Sequence, residues 1–186
     1  MLLETPRLLL REFEDGDAPA TNVYERDPEV VRFQSFATRS LAESLDYIVS
    51  TRAASHEQPR RIFDLAVVLR DEQRLVGRCG MKVTDAEARE GMLWYVLNPA
   101  YWGRGIIPEA ARALLGFGFG ELGLHRIIID CDPDNQPSIR VAEKLGMRRE
   151  AHFVENAWVK GRWADSLIFG LLDREWAAQS RRPAEP

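Results

Sequence analysis

The 186-residue chain has few cysteines, few histidines and no long apolar run. Its two cysteines, Cys79 and Cys131, lie in no Cys-x-x-Cys motif and have no histidine nearby. This pattern argues against a zinc site and indicates small core residues in a reducing compartment, so we expect no metal and a cytoplasmic location. No apolar run approaches the roughly 20 residues of a membrane-spanning helix, and residues 1–11 do not resemble a secretory signal. We therefore expect no membrane partner.

Positive charge is also limited. The 25 Lys and Arg residues are outnumbered by 29 Asp and Glu residues, which gives a formal net charge of −4. Because nucleic-acid-binding domains usually carry a basic patch, this balance argues against a nucleic-acid partner. The length and the 45% hydrophobic content fit one globular domain with a real core. We predict that domain over residues 1–178 and a frayed, polar tail over residues 179–186.

The most informative stretch is residues 101–108, Tyr-Trp-Gly-Arg-Gly-Ile-Ile-Pro. It lies between an apolar run that ends at Leu97 and a long apolar segment, which predicts a strand, a tight glycine turn and a helix. Pro108 suits the first turn of a helix. Such a helix start presents bare amides to an anion, most naturally a phosphate. The stretch lacks the lysine of a P-loop and the third small residue of a dinucleotide fingerprint. An ordinary glycine turn before a core helix explains it equally well.

Apolar runs and periodicity predict the other elements. The predicted strands are residues 7–13, 62–69, 74–83, 92–97 and 126–131, followed by a hairpin of 149–158 with 163–172. The predicted helices start near residues 19, 41, 107 and 138. The strand–helix–strand order around residues 107–122 predicts a parallel crossover. In that helix, the glycines at 116, 118 and 120 suggest close approach to a sheet or a ligand.

The helix that starts near residue 41 has a clear beginning and a predicted inward face. Ser40 and Glu43 form the pattern of a capping box. The apolar residues at helical spacing predict which side faces the core: Leu41, Leu45, Ile48 and Val49.

Four segments together resemble the GCN5-related N-acetyltransferase (GNAT) superfamily, and specifically its RimJ/RimL branch of ribosomal-protein N-terminal acetyltransferases. They are residues 5–11, residues 98–105, residues 132–138 with 143–147, and residues 160–165. The resemblance covers nearly the whole chain in the family's order. It implies an α/β (α+β) fold with a mixed, mostly antiparallel sheet flanked by helices. Its fourth and fifth strands, here 92–97 and 126–131, would splay apart around acetyl-CoA.

The resemblance also implies roles for individual residues. The pyrophosphate would rest on the amides of the glycine turn, and the pantetheine arm would pair with the strand edge. The implied cofactor contacts are Val96, Leu97, Trp102, Gly103, Arg104, Gly105, Ile106, Ile107, Asn135 and Ser138. The Leu97 N–H would hold the thioester oxygen, and Ser138 would protonate or orient the departing thiolate. Glu90, which shares strand parity with Met92, is a candidate base acting through water.

The chain departs from the family pattern at three positions. Ala142 stands where many members carry a catalytic tyrosine, Met92 where the branch often carries a glutamate, and Ile107 where a smaller residue is usual. The implied reaction is direct acetyl transfer to an amine acceptor, either a protein N-terminus or a small molecule. Antibiotic or polyamine acetylation and a catalytically degenerate acyl-CoA-binding module remain alternatives. Either a monomer or a homodimer fits the sequence.

Overall fold

An eight-stranded sheet forms the centre of the molecule in the computed structural model, which describes residues 1–180. The strands run in the order β1-β2-β3-β4-β5-β6-β8-β7, and every neighbouring pair is antiparallel except β5 and β6. They are β1 (Leu2–Glu4), β2 (Leu8–Arg11), β3 (Ile62–Leu69), β4 (Arg74–Asp85), β5 (Glu90–Leu97), β6 (Arg126–Cys131), β7 (Arg148–Val159) and β8 (Arg162–Leu172). This confirms the predicted mixed, mostly antiparallel sheet.

Six helices flank the sheet. They are α1 (Ala18–Glu25), α2 (Pro28–Val31), α3 (Leu41–Ser55), α4 (Ile106–Gly120), α5 (Gln136–Lys144) and α6 (Asp173–Ser180). The sequence did not predict β1, α2 or α6. The last two residues of α6 belong to the predicted frayed tail, and the remainder of that tail lies outside the described residues. No helix in residues 1–180 is both long enough and apolar enough to cross a bilayer.

The two parallel strands separate part of the way along their length. β5 and β6 pair only at Glu90 with Arg126, Gly91 with Ile127, and Met92 with Ile128. Beyond these pairs the strands diverge, which confirms the predicted V-shaped gap. Because β1 adds a strand at the beginning of the chain, the gap lies between the fifth and sixth strands.

Helix α4 packs tightly on the sheet beside the gap. Its buried side chains, including Leu114 and Leu115, belong to the main hydrophobic core. A Cβ atom at Gly118 would lie 2.8 Å from both Ile127 Cδ1 and Met81 Sδ, so any larger residue would displace these side chains from their close packing against the helix. The expectation of close packing is therefore confirmed for Gly118, whereas a Cβ at Gly120 would meet nothing within 4 Å.

The predicted inward face of α3 is wrong, although its Ser40–Glu43 capping box is confirmed. Of its four predicted core residues, Ile48 alone is buried, and Leu41, Leu45 and Val49 are exposed. Helix α3 covers both an apolar cluster and charged side chains. Ile48 packs in a core cluster with Phe13 and Tyr24. Ser44, which is fully buried, donates a hydrogen bond of 3.0 Å to the buried carboxylate of Glu25. The inward side of the helix is therefore partly polar.

Candidate active site

A cavity of about 430 Å³ opens where β5 and β6 separate. Its walls are the end of β5, the glycine turn before α4, the first turns of α5, and α2 with the residues that follow it. Nine of the residues predicted to contact a cofactor line this one space: Val96, Leu97, Trp102, Gly103, Gly105, Ile106, Ile107, Asn135 and Ser138.

The glycine turn presents bare backbone amides to the cavity. Gly103 and Gly105 have φ angles of 74° and 73°, values that residues other than glycine rarely adopt. Gly105 is the N-cap of α4 and makes no side-chain capping bond, whereas Ser40 and Asn135 cap α3 and α5 with their side chains. The Ile107 side chain is buried in the core, so its unusual size does not obstruct the amides. The start of α4 is thus arranged to receive an anion.

The N-terminal segment clasps this turn from outside. Glu109, in the first turn of α4, accepts hydrogen bonds from Thr5 Oγ1 at 2.6 Å, Arg7 N at 3.0 Å and Arg7 Nε at 2.6 Å. Arg7 Nη1 also donates to the carbonyl oxygen of Arg104 at 3.0 Å. We call these contacts of Thr5, Arg7, Arg104 and Glu109 the N-terminal clasp. The clasp fixes the turn and compensates a carboxylate that lies close to the proposed anion site.

Arg104 contributes its backbone to the turn but lies outside the cavity lining. Its guanidinium packs over the ring of Tyr101, 5.0 Å from the ring centroid. The predicted contact between the Arg104 side chain and a cofactor is therefore not supported by its position.

The exposed strand edge in the gap belongs to Tyr95 and Leu97 rather than to Val96. Asn98 N donates to Val76 O on the β4 side at 2.8 Å. Because backbone groups alternate between the two sides of a strand, the Leu97 N–H points away from β4 and into the gap, whereas the polar backbone groups of Val96 face β4. The Leu97 carbonyl accepts a hydrogen bond of 2.9 Å from Trp102 Nε1. The predicted backbone contact of Val96 is accordingly corrected.

The first turn of α5 forms the opposite wall. Asn135 Oδ1 accepts a hydrogen bond of 3.2 Å from Ser138 N, so the asparagine side chain caps the helix and the serine hydroxyl does not. The hydroxyl of Tyr95 reaches across from β5 to the carbonyl oxygen of Ser138 at 3.5 Å. Sequence reasoning missed Tyr95, because nothing local relates it to a helix that starts more than 40 residues later.

Glu90 lies at the closed end of the gap. Its carboxylate accepts a hydrogen bond of 3.0 Å from Arg126 Nε, and it does not line the cavity. The prediction of Glu90 as a base used strand parity alone, which fixes the face of the sheet but not the position along the gap. The structure does not bring Glu90 together with Leu97 and Ser138.

The remaining wall carries mixed charge. Glu29, Val30, Arg32, Phe33 and Gln34 line it, and Glu29 is the one carboxylate among the cavity-lining residues that the structure describes. The basic side chains of the lining are Arg32, Arg140 and Lys144.

A buried charge network supports this wall from below. Arg78 lies 3.0 Å from Asp64 Oδ2 and 3.5 Å from Glu25 Oε1, and Arg39 lies 2.6 Å from the same atom of Glu25. Both arginines pack over the ring of Phe36, with centroid distances of 4.1 Å for Arg39 and 5.3 Å for Arg78. The network therefore anchors the segment that connects the cavity wall to α3.

Two of the three histidines pair with aspartates outside the cavity. His125 Nδ1 lies 3.2 Å from Asp173 Oδ2, and His152 Nε2 lies 2.7 Å from Asp165 Oδ2. Cys79 and Cys131 are free and buried, as expected of core residues. Within residues 1–180, no group of His, Cys, Asp or Glu side chains is placed to hold a metal ion.

Comparisons with known proteins agree with this geometry. The family model described as "Acetyltransferase (GNAT) domain" matches residues 7–148. The chain is 35% identical to the uncharacterized N-acetyltransferase YnaD of Bacillus subtilis over 176 residues, which cover 95% of this chain and 99% of YnaD. It is 22% identical to spermidine N(1)-acetyltransferase of Escherichia coli over 132 residues, covering 67% of this chain and 71% of that protein.

Solved structures share the whole fold. A GNAT-family acetyltransferase from Bacillus anthracis matches with a TM-score of 0.84 and 32% identity, covering 94% of this chain and all of that chain. A putative ribosomal-protein-serine acetyltransferase from Vibrio cholerae matches with a TM-score of 0.78 and 25% identity, covering 92% of this chain and 97% of that chain.

Proposed function

The chain belongs to the GNAT family and is an acetyl-CoA-dependent acetyltransferase, and we propose that its acceptor is a primary amine. This amine is either the α-amino group of a protein N-terminus or an amino group of a small molecule. The observation that carries this proposal is the cavity between β5 and β6. It joins the bare amides of α4 to a wall built by α2, so one continuous space has room for a donor and an acceptor.

The residues present fit acetyl-CoA, which supplies an activated acetyl group when bound. The amides from Gly103 to Ile107 hold the pyrophosphate, since no side chain caps that helix start. The Leu97 N–H, directed into the gap, holds the thioester oxygen as negative charge develops on it. Ser138 lines the same cavity from the first turn of α5, so its hydroxyl would donate to the departing sulfur where the helix dipole favours negative charge.

The acceptor side favours an amine that loses its proton easily. An amine must be neutral to attack a thioester. A terminal α-amino group has a pKa of about 7.7–8.0 and a lysine side chain about 10.4, so the α-amine needs less help from a base. The lining offers Glu29 as its one described carboxylate, and that side chain is exposed. Similarity to the Vibrio cholerae protein described as a putative ribosomal-protein-serine acetyltransferase also supports a protein acceptor.

The charge of the lining weighs against polyamines. A polyamine carries several positive charges and is best held by several carboxylates. Here the described part of the lining has one carboxylate, that of Glu29, and three cations, those of Arg32, Arg140 and Lys144. A singly charged acceptor is therefore favoured over spermidine, despite the distant similarity to a spermidine acetyltransferase.

An acceptor panel tests the proposal. Purified protein is incubated with acetyl-CoA and peptides with free Ala, Ser or Met N-termini, and in parallel with simple monoamines, spermidine and an aminoglycoside. Thiol release gives the rate and mass spectrometry locates the acetyl group. We expect acetylation of the peptide α-amine or of a monoamine, with none on the same peptides when their N-terminus is blocked. Acetylation of polyamines alone, or of lysine side chains alone, would contradict the proposal.

A further inference from the structure

Tyr95 brings a second hydroxyl group to the gap. It lies on β5 and lines the cavity, and its hydroxyl is 3.5 Å from the carbonyl oxygen of Ser138. That distance is at the long limit of a hydrogen bond. The phenol can therefore exchange this weak contact for a stronger acceptor that enters the gap. Tyr95 is also next to the strand-edge amides that face the cavity.

The position of this hydroxyl matters because α5 lacks the tyrosine that many family members carry. Ala142, where many family members carry a tyrosine, is fully buried and has no polar group to offer. Ser138 lies one helical turn before Ala142 on α5. Tyr95 thus delivers a phenol to the same helix, but from β5.

We propose that Tyr95 donates a hydrogen bond to the sulfur atom as the carbon–sulfur bond of the thioester breaks, and so replaces the missing tyrosine of α5. This inference rests on the proposed function. It adds Tyr95 as a second donor beside the Ser138 hydroxyl.

The chemistry of the two groups makes Tyr95 a hydrogen-bond donor rather than an acid. Burial raises the pKa of Tyr95 above its ordinary value near 10. An alkyl thiol of the cysteine kind has a pKa of about 8.5, so the phenol keeps its proton when it meets a thiolate. The amine nitrogen forms the new bond to carbon, and the electron pair of the broken bond stays on sulfur. The sulfur then takes a proton from solvent, and the acetylated nitrogen releases one to solvent.

Binding measurements isolate this hydrogen bond without turnover. Calorimetry compares CoA with desulfo-CoA at pH 6.5 and pH 9.5, for the unchanged protein and for Tyr95→Phe. A donor to the thiolate lowers the pKa of the bound thiol, so the preference for CoA over desulfo-CoA should rise by about tenfold between the two pH values. In Tyr95→Phe that rise should largely disappear, while desulfo-CoA affinity stays unchanged and reports an intact site. The kcat should fall by about 10²-fold, as for the loss of one preorganised donor.

A second tyrosine provides the control. In Tyr101→Phe the lost hydroxyl is one that lies 3.1 Å from Arg74 Nη1, away from Ser138, so the pH-dependent preference should remain. An undiminished rise in Tyr95→Phe would overturn the inference about Tyr95 while leaving the cofactor site in place. Failure of the unchanged protein to bind either ligand would overturn the proposed function itself. Equal loss of the preference in both tyrosine variants would also reject a specific role for Tyr95.

Discussion

Gly105 has a backbone conformation that favours glycine and also lies at the proposed anion site. Its φ of 73° is strained for any side chain, and it caps the α4 helix next to the cavity. In Gly105→Val we expect CoA affinity to fall severely, because the side chain and the altered backbone both disturb the amides that hold the pyrophosphate. Calorimetry gives the affinity directly.

Gly123→Val is the matched control for that substitution. Gly123 also has a positive φ, 61°, and a Cβ there would meet nothing within 4 Å, but it lies in the turn after α4. It should lose stability through the same backbone strain and keep its CoA affinity. Equal loss of affinity in the two variants would mean that strain alone explains the effect.

Ser138 and Asn135 separate catalysis from helix capping. The cap bond uses the Asn135 side chain and the Ser138 backbone, so Asn135→Ala should cost about 1 kcal/mol of stability and Ser138→Ala much less. If the serine hydroxyl meets the departing sulfur, Ser138→Ala should lower kcat by roughly 10²-fold with little change in CoA affinity. Melting temperature and kcat measured on both variants decide this. An unchanged kcat in Ser138→Ala would remove the hydroxyl from the mechanism.

Single residues show where sequence reasoning reaches its limit. The glycine turn was predictable because a few consecutive residues determine the backbone geometry that binds a phosphate. Tyr95 was not, because its significance depends on where β5 meets α5 across the gap. Glu90 shows the opposite failure: strand parity related it to Met92, but that argument could not predict that β5 begins at Glu90 or that Glu90 pairs with Arg126 at the closed end.

At the scale of elements, the N-terminal clasp links the turn between β1 and β2 to α4 and makes the proposed anion site depend on charge compensation. Arg7→Met would leave the Glu109 carboxylate uncompensated near the pyrophosphate. We expect CoA affinity to fall by about tenfold, the equivalent of one charge-assisted hydrogen bond. Adding Glu109→Gln should restore part of the loss, because the repelling charge is then gone. A double-mutant cycle measured by calorimetry tests this; additive losses would contradict it.

The same clasp should make the stability of the fold depend on pH in the acidic range. Burial acts to raise the pKa of Glu109, but hydrogen bonds from Thr5 and Arg7 outweigh it and hold the pKa below its usual value. A carboxylate with a lowered pKa in the folded state stabilises the fold above the unfolded value, near 4.3, and loses that contribution as pH falls through the folded value. The difference in melting temperature between the unchanged protein and Glu109→Gln should therefore shrink below about pH 4. A constant difference from pH 7 to pH 3 would contradict this.

Elements also differ in how well periodicity describes them. Long apolar segments such as α4 and the strands of the sheet were predictable from their patterns. The inward face of α3 was not, because that face meets Glu25 and Arg78 and includes polar side chains such as Ser44. Short elements, such as the three residues of β1 and the four of α2, give too few positions for a period to show.

At the scale of the whole molecule, the buried charge network couples the sheet to the helices beneath the cavity wall. Arg78 is 4% exposed and contacts both Asp64 and Glu25. Arg78→Met should therefore destabilise the fold by roughly 3–5 kcal/mol, because the buried carboxylate of Asp64 loses its cation and Glu25 keeps only Arg39. Arg74→Met, four residues earlier on the same strand and exposed, should cost far less stability than Arg78→Met. Chemical denaturation measures both; similar losses would show that the network contributes little.

The overall architecture could be predicted from the sequence because four local motifs, in the right order, resemble those of a known family. The strand–helix–strand crossover predicts that β5 and β6 are parallel, whereas their separation was implied by the resemblance. The acceptor wall could not be predicted, since it depends on α2 and on side chains from several distant segments. That difference leaves the donor half of the site better defined than the acceptor half.

The central claim, that acetyl-CoA binds in the gap between β5 and β6, is tested most directly by an amide NMR titration with CoA. The account predicts the largest chemical-shift changes at Tyr95, Leu97 and residues 103–107, with small changes at the exposed turn between β4 and β5. Saturable binding that leaves residues 103–107 unmoved, or shifts confined to other parts of the chain, would contradict it.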